Sequence, residues 1–508
     1  MNGGAIAATR PEHPEATPLT DLASWLAEAA PGSSTRGELS GVAATGVSLS
    51  SQRIQPGDVY AALPGARAHG IDFADSALAS GAVAVLTDPA GAERAPDVPL
   101  LVVDQPRRVL GRFAARVYGD PATSLRMIGV TGTQGKTTST RLAESGLQQA
   151  GVPAAVIGTV GTRVAGTDVK TALTTPEAPD LHGLFAMMRE RGVEACAMEV
   201  SSHALVMGRV DGVVFDVAVF TNLGRDHLDF HKDVEDYFAA KASLFTPERA
   251  RRGLVNADDA YGRRLVEEAG IPVRTFSATG GDADWRAVDV ELAASGSTFV
   301  LVGPDGTQVE AGVPLPGDFN VANAVAAIAA CAEAGFDTAQ VAAGIAVGGG
   351  VPGRLEPIDE GQDFLVVVDY AHKPDAVEAT VRTLRPLTDG KVIVVIGAGG
   401  DRDPGKRPIM GEIAARLADV LVITNDNPRG EDPAAIRRAM LDGAADGGRA
   451  LVLEIGDRRT AIREAVRRAG PGDIVLVAGK GHEAGQEIAG VVHPFDDRDV
   501  VREELAAR

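Results

Sequence analysis

A seven-residue loop, Gly132-Thr133-Gln134-Gly135-Lys136-Thr137-Thr138, restricts what this chain can fold into more than any other stretch. An apolar run at residues 125–130 precedes it, and a helical pattern runs from Thr138 to about residue 150. A glycine-rich turn between strand and helix lets backbone N–H groups approach phosphate oxygens, and the helix N-terminus adds partial positive charge. In that arrangement Lys136 reaches the β- and γ-phosphates of a nucleotide, and the Thr137 hydroxyl faces Mg2+. Gly132, Thr133, Gln134, Gly135 and Thr138 complete the cradle. The longer pattern Gly-x-x-x-x-Gly-Lys-[Ser/Thr] is not met in full, because position 130 is Val.

Around this loop, short apolar runs alternate with helical patterns. They fall at residues 154–157, 195–200, 215–220 and 253–255, and each leads into a polar loop. This alternation predicts a mostly parallel sheet flanked by helices, with ligands beyond the carboxyl ends of its strands. Before it, a helix at 19–30 and strands at 59–63, 82–86 and 100–103 form a small α/β unit. After a glycine-rich break at 348–353, strand-like runs recur at 364–368, 391–396, 420–423 and 474–477. These end in the charged loops Asp369-Tyr370-Ala371-His372, Gly399-Gly400-Asp401-Arg402, Asp426-Asn427-Pro428-Arg429 and Gly479-Lys480-Gly481-His482-Glu483. Three α/β domains are expected, at 1–123, 124–351 and 352–508, with residues 1–17 a frayed tail.

The formal charge of -20 argues against a nucleic-acid binder, since neutralising phosphates takes clustered Lys and Arg. Anionic small molecules must therefore be met by local basic and N–H-rich loops inside an acidic shell. Two cysteines, Cys196 and Cys331, make neither a disulfide framework nor a metal spacing. No apolar run reaches the ~20 residues of a membrane span, and residues 1–17 lack an apolar signal core. A cytoplasmic monomer acting on small molecules is expected, with no nucleic-acid partner and no membrane insertion.

Six motifs resemble those of the Mur ligases, in that family's order, over about residues 46–497. They are Val130–Thr138; Met198-Glu199-Val200-Ser201-Ser202-His203; Thr221-Asn222-Leu223 with Arg225-Asp226-His227-Leu228-Asp229; Asp369–His372; Gly399–Lys406; and Ala478–Glu483. The resemblance implies an N-terminal domain that binds uridine, a central P-loop ATPase domain and a C-terminal Rossmann-like domain. It also implies an ATP- and Mg2+-dependent ligase of peptidoglycan synthesis that works through an acyl phosphate. By the same resemblance Lys136, Glu199, His227 and Lys241 are catalytic, and Thr137, Glu199, His227 and Lys241 form the metal site. Lys241 would be N-carbamylated; by periodicity alone it is an ordinary helix lysine. Asn320, Asn323, Arg354 and Asp369 would face ATP. His372 either contacts phosphate or closes a strand end.

Substrate contacts carried over from the family are Leu49 and Ser51 near uridine, with Ala66, Arg67 and Ala68 in a second N-terminal loop. Thr174, Thr175, Ser201 and Arg209 would lie near sugar and peptide. Asp426-Asn427-Pro428-Arg429 is similar to the recognition motif of the diaminopimelate-adding branch, although Asn-Pro alone also signals a tight turn. Arg429 offers a planar fork to a carboxylate; Arg402, Gly479 and Glu483 would complete that pocket. The implied acceptor is UDP-N-acetylmuramoyl-L-Ala-D-Glu, joined at its D-Glu carboxylate. A ligase for another nucleotide-linked peptide or amino acid remains the alternative, because the family's Leu-Asp-Ser-Arg reads Leu49-Ser50-Ser51-Gln52 here. Asp318, Leu173, Gly224 and Gln134 are further departures.

Overall fold

A computed structural model describes residues 9–227 and 229–508. They fall into two compact units. One takes in the chain up to Arg286 with Leu301–Val309 and Asn323–Gly344; the other takes in Ala287–Val300, Glu310–Ala322 and Ile345–Arg508.

Two larger sheets organise the first unit, beside a short pairing of Thr17–Pro18 with Ala43–Ala44. The N-terminal one runs in the order Ser34–Arg36, Leu100–Val102, Ala84–Thr87, Asp58–Ala62, Gly46–Ser48. Its last four strands are parallel and Ser34–Arg36 is antiparallel. Every residue of Asp58–Ala62, Ala84–Thr87 and Leu100–Val102 is buried. That is why these strands read as unbroken apolar runs without alternation. The Leu19–Ala29 helix buries Leu19, Leu22 and Leu26, and the Pro106–Val117 helix adds Leu110 and Phe113 to the same core.

The central sheet has Arg126–Thr131 in its middle. Ala195–Glu199 and then Ala154–Gly158 lie on one side, and Val217–Phe220, Gly253–Asn256 and Val273–Ser277 on the other, all parallel. The chain leaves Arg126–Thr131 toward one side, returns, and continues on the other, so the strand order reverses there. The crevice at such a switch point is where α/β sheets bind ligands. The register pairs Glu199 with Val130 and Phe220 with Thr131, placing Glu199 and Thr221 on either side of the glycine loop.

In the second unit five parallel strands lie in the order Leu365–Asp369, Ile474–Ala478, Val392–Ile396, Val420–Ile423, Leu451–Glu454, with Glu356–Pro357 antiparallel at one edge. Asp369 pairs with Ala478, Ala478 with Ile396, and Ile396 with Ile423. The four charged loops therefore leave one sheet edge together. The three-domain α/β architecture with mostly parallel sheets is as expected. Sequence periodicity missed Leu451–Glu454, which is half-exposed, and the hairpin Gly485–Ile488/Val491–Pro494, which carries polar residues on both strands.

The expected tail needs correction. Thr9 and Arg10 are buried, Arg10 pairs with the buried Asp58, and the backbone N–H groups of Glu12 and His13 donate to Glu190 at 2.7 and 2.8 Å. Arg10 and Asp58 lie far apart in sequence and neither stands in an apolar run, so the composition of the segment gave no sign of this anchor. Residues 1–8 of the tail lie outside the described residues, as does Leu228.

His182 lies wholly buried in the Ala178–Glu190 helix, its Nε2 3.1 Å from Asp211 O and its ring edge-on to Phe185. Burial pushes its pKa down to about 4. Above the unfolded value both states are neutral; below it the unfolded chain takes up a proton that the folded ring refuses. Stability is thus present above about pH 6.5 and falls by about 2 kcal/mol on the way to pH 5. His182→Leu should flatten that part of the pH profile in urea unfolding of the full chain. An unchanged slope would assign the acid sensitivity to other groups.

Candidate active site

The glycine loop leaves the Arg126–Thr131 strand and enters the Lys136–Gln149 helix. Gly132 has φ 150°, and a Cβ there would stand 1.9 Å from Thr221 Oγ1. That hydroxyl donates to Gln134 O at 2.6 Å. Asn222 O accepts the Thr133 N–H at 3.0 Å, Asn222 Oδ1 accepts the Gln134 N–H at 2.9 Å, and the Gly224 N–H donates to Thr133 Oγ1 at 2.9 Å. Residues 221–224 thus clamp the loop from the neighbouring strand end. Asn323 approaches from the Asp318–Glu333 helix: a Cβ on Gly135 would meet its Oδ1 at 2.4 Å, and Ser139 Oγ donates to that oxygen at 3.4 Å.

Lys136 Nζ donates to Gly132 O at 2.8 Å and Thr133 O at 3.0 Å. Lys241, almost wholly buried, donates to the same Gly132 O at 2.7 Å and lies 4.5 Å from the centroid of the Tyr237 ring. The two lysine side chains thus converge on one carbonyl of the glycine loop. Thr137 and Thr138 are buried in the first helical turn.

Glu199 is also buried; its Oε1 accepts the Thr159 N–H at 2.7 Å and its Oε2 the Thr159 hydroxyl at 3.1 Å. Each oxygen keeps a second lone pair. His227, at φ 53°, has Nε2 3.3 Å from Asp226 Oδ2 and packs edge-on to His203. Among the described residues no three His, Cys, Asp or Glu gather as a metal cage. A hydroxyl and a buried carboxylate fit Mg2+, which keeps waters and binds substrate phosphates through few protein oxygens.

The structure brings most of the peptide-side candidates together. Thr174 Oγ1 lies 3.1 Å from Thr159 Oγ1, Thr175 Oγ1 donates to Glu199 O at 2.8 Å, and the Ser201 N–H donates to Thr175 Oγ1 at 3.3 Å. Arg209 Nε donates to Glu177 Oε1 at 2.8 Å, while Arg107 holds Glu177 Oε2 at 2.6 Å. In the N-terminal sheet Leu49 and Ser51 precede and open a short turn, and Ala66, Arg67 and Ala68 form an exposed loop. Where the family's arginine is replaced by Gln52, the adjacent Arg53 makes a two-pronged pair with Asp180 at 2.9 and 2.5 Å.

In the second unit, the charged loops interlock. Asp426 Oδ1 accepts the Asn427 N–H at 2.7 Å, whereas its buried Oδ2 has no hydrogen-bond partner. Asn427 Nδ2 donates to Glu483 Oε2 at 2.8 Å. Pro428 is buried, and Arg429 stands at φ 51° with its guanidinium on Gly400 O at 2.8 Å and 3.4 Å from Glu487 Oε2. A Cβ on Gly399 would meet Arg429 Nη1 at 2.9 Å and Arg402 Cγ at 4.0 Å, so both arginines border that glycine. A Cβ on Gly479 would come within 2.6 Å of Asp426 Oδ2.

Asp369 braces its own loop, accepting from the Leu355 and Ala371 N–H groups at 2.7 and 2.8 Å. Burial pushes its carboxyl pKa up, opposed by Arg354. Arg354 stacks 4.6 Å over the Tyr370 ring. Asn320 Nδ2 caps Pro316 O at 2.8 Å. His372 turns back on its strand end, Nδ1 2.8 Å from Tyr370 O, and burial lowers its pKa to about 4.

Three family models cover the chain in turn: Mur ligase family, catalytic domain (residues 43–118), Mur ligase middle domain (130–331) and Mur ligase, glutamate ligase domain (353–481). A UDP-N-acetylmuramoyl-L-alanyl-D-glutamate--2,6-diaminopimelate ligase of Streptomyces avermitilis is 56% identical over 98% of both chains. That of Streptomyces coelicolor is 57% identical, also over 98% of both. The chain belongs to the Mur ligase family. A solved structure of a UDP-N-acetylmuramoyl-L-alanyl-D-glutamate--2,6-diaminopimelate ligase matches it at 36% identity and a TM-score of 0.68, over 93% of this chain and 96% of that one.

As a Mur ligase the chain uses ATP, and its loop clamp bears directly on that. Sequence reading placed Thr221 and Asn222 in a stretch that resembles the family's metal-binding loop, not in a clamp on the glycine loop; Thr159 and Glu177 were passed over. Thr221 and Asn222 meet backbone atoms of the glycine loop, Thr159 meets Glu199, and Glu177 meets Arg107 and Arg209, pairings that spacing along the chain does not reveal. Asn222→Ala removes the acceptor for the Gln134 N–H and should raise the KM for ATP about tenfold, with melting temperature little changed. Steady-state kinetics at saturating co-substrates would check this, and an unchanged KM would show that the loop holds itself.

Proposed function

We propose that this Mur ligase joins meso-diaminopimelate to the D-Glu carboxylate of UDP-N-acetylmuramoyl-L-Ala-D-Glu, at the expense of ATP, in cytoplasmic peptidoglycan synthesis. The observation that carries the reading is the Asp426–Arg429 loop. It brings one guanidinium, one buried carboxylate oxygen with no hydrogen-bond partner among the described residues, and Asn427 bound to Glu483 within four consecutive residues. Such a set matches an amino acid with an ammonium group and an additional carboxylate. The identity of 56–57% to two diaminopimelate ligases supports it.

In this reading residues 1–123 hold the UDP-sugar, 124–351 hold ATP and 352–508 receive the amino acid. The acceptor carboxylate attacks the γ-phosphorus; the P–O bond to ADP breaks and an acyl phosphate forms. The amine then attacks the acyl carbon, loses a proton, and phosphate leaves. The first step brings two anions together, so Lys136 and the helix N-terminus hold the ATP phosphates while Arg209 positions the peptide. Thr137 and Glu199, with His227 and Lys241, would hold Mg2+, which would neutralise charge at the phosphates when bound. Carbamylation would give Lys241 a carboxylate while leaving an N–H to donate to Gly132 O.

Phosphate release with ATP and the UDP-muramoyl dipeptide should require meso-diaminopimelate, with L-lysine a poor substitute. Chelation of divalent cations should abolish it and Mg2+ restore it. Arg429→Ala should raise the KM for diaminopimelate about 100-fold and leave that for ATP nearly unchanged. Release driven equally by lysine, or an equal effect of Arg429→Ala on both KM values, would overturn the assignment.

A further inference from the structure

We propose that Lys480 is a positioning residue for amino-acid selection, whose buried ammonium fixes the Asn427 amide and one oxygen of Glu483. The inference rests on the reading that this pocket receives the amino-acid substrate.

Lys480 is wholly enclosed; its side chain is 0% exposed. Taking an ammonium out of water costs several kcal/mol unless its protons find acceptors. Three are provided, each from a different segment. Gly485 O in the hairpin lies 2.6 Å from Nζ, Asn427 Oδ1 in the recognition loop 3.2 Å, and Glu483 Oε2 in its own loop 3.4 Å. One charge therefore ties together the three segments that build the pocket.

The tie has a directional consequence. Asn427 Oδ1 accepts from both Lys480 and the Glu487 N–H, the latter at 2.9 Å, so only one orientation of the amide satisfies its neighbours. In that orientation Nδ2 donates to Glu483 Oε2 at 2.8 Å. Oε2 is thus held by Asn427 and Lys480, while among the described residues Oε1 has a contact of 3.5 Å from the Tyr370 hydroxyl, too long to hold it firmly. Asp426 Oδ2 is buried and has no hydrogen-bond partner among the described residues. Lys480 neutralises one oxygen of Glu483 and leaves the other loosely held, as the acceptor for a substrate ammonium.

The same tie reaches Arg429 through the hairpin. The Arg429 N–H donates to Glu487 O at 3.0 Å, the Ala489 N–H donates to Arg429 O at 2.7 Å, and Gln486 Nε2 donates to Asp426 O at 2.7 Å. Since Lys480 holds the first residue of that hairpin, its loss frees both ends of the pocket. A residue that merely filled space would act on stability and not on one substrate.

The test is Lys480→Met in the full chain, with KM measured for each substrate and thermal melting beside it. The expected result is a KM for meso-diaminopimelate raised about 10- to 100-fold, and values for ATP and the UDP-muramoyl dipeptide within about twofold. Lys480→Gln, which keeps hydrogen-bond donors, should recover part of the loss. In an Asn427→Ala background, Lys480→Met should add little further. A folded Lys480→Met enzyme with an unchanged amino-acid KM, or full additivity with Asn427→Ala, would overturn the proposal. So would failure of both Lys480 variants to fold, which would assign the residue to stability. If the wild-type enzyme uses L-lysine and not diaminopimelate, the substrate reading fails separately, and Lys480 is scored on the KM for lysine.

Discussion

A hydroxyl packed against a bare glycine holds the nucleotide loop: Thr221 Oγ1 occupies the space that a side chain on Gly132 would need. The contact follows from sheet register, because Phe220 is paired with Thr131 and the two strands end together. Anchored this way, the loop can aim its remaining N–H groups outward without rearranging when phosphate arrives. Preorganised donors of that kind stabilise developing charge more effectively than water does, because no dipoles need to turn during the reaction. Glu199, at the end of the strand on the other side, is fixed by the same register and by Thr159.

Charge is handled locally. The chain carries a net charge of -20, yet the groups expected to meet anionic substrates are cations. Arg209 is paired with Glu177, and Arg429 lies 3.4 Å from Glu487. These carboxylates hold each guanidinium at one edge and so limit the rotamers it must give up on binding. Lys136 and Lys241 both donate to the Gly132 carbonyl, within the loop expected to meet phosphate.

The parallel strands were legible because burial on both faces makes them continuous apolar runs, as at residues 126–131, 392–396 and 474–478. Leu451–Glu454, half-exposed, carried no such signal. The glycine loop was legible because its chemistry is contiguous in sequence. The pocket around Arg429 was only half legible. Asp426 to Arg429 stand together, but Lys480, Gln486 and Glu487 join them across some fifty to sixty residues, Lys480 side chain to side chain and the other two with a backbone atom on one side, a separation that hides the contacts from the sequence. The buried N-terminal anchor was hidden for the same reason, since Arg10 finds Asp58 only once the sheet has formed.

The Arg458–Asp497 pair carries this argument furthest. Both side chains are wholly buried, joined by contacts of 2.7 and 2.6 Å. Desolvating such a pair offsets much of its attraction, and apolar replacements of similar volume often match or exceed it in stability. Its geometry explains it better. The guanidinium also donates to Ala478 O at 3.0 Å and Asn425 O at 3.3 Å, the carbonyls immediately before Gly479 and Asp426. An apolar side chain would leave both carbonyls without that donor at the roots of the two loops proposed to receive the amino acid. The buried charge is therefore placed where loop position, and not global stability, is what the fold has to secure.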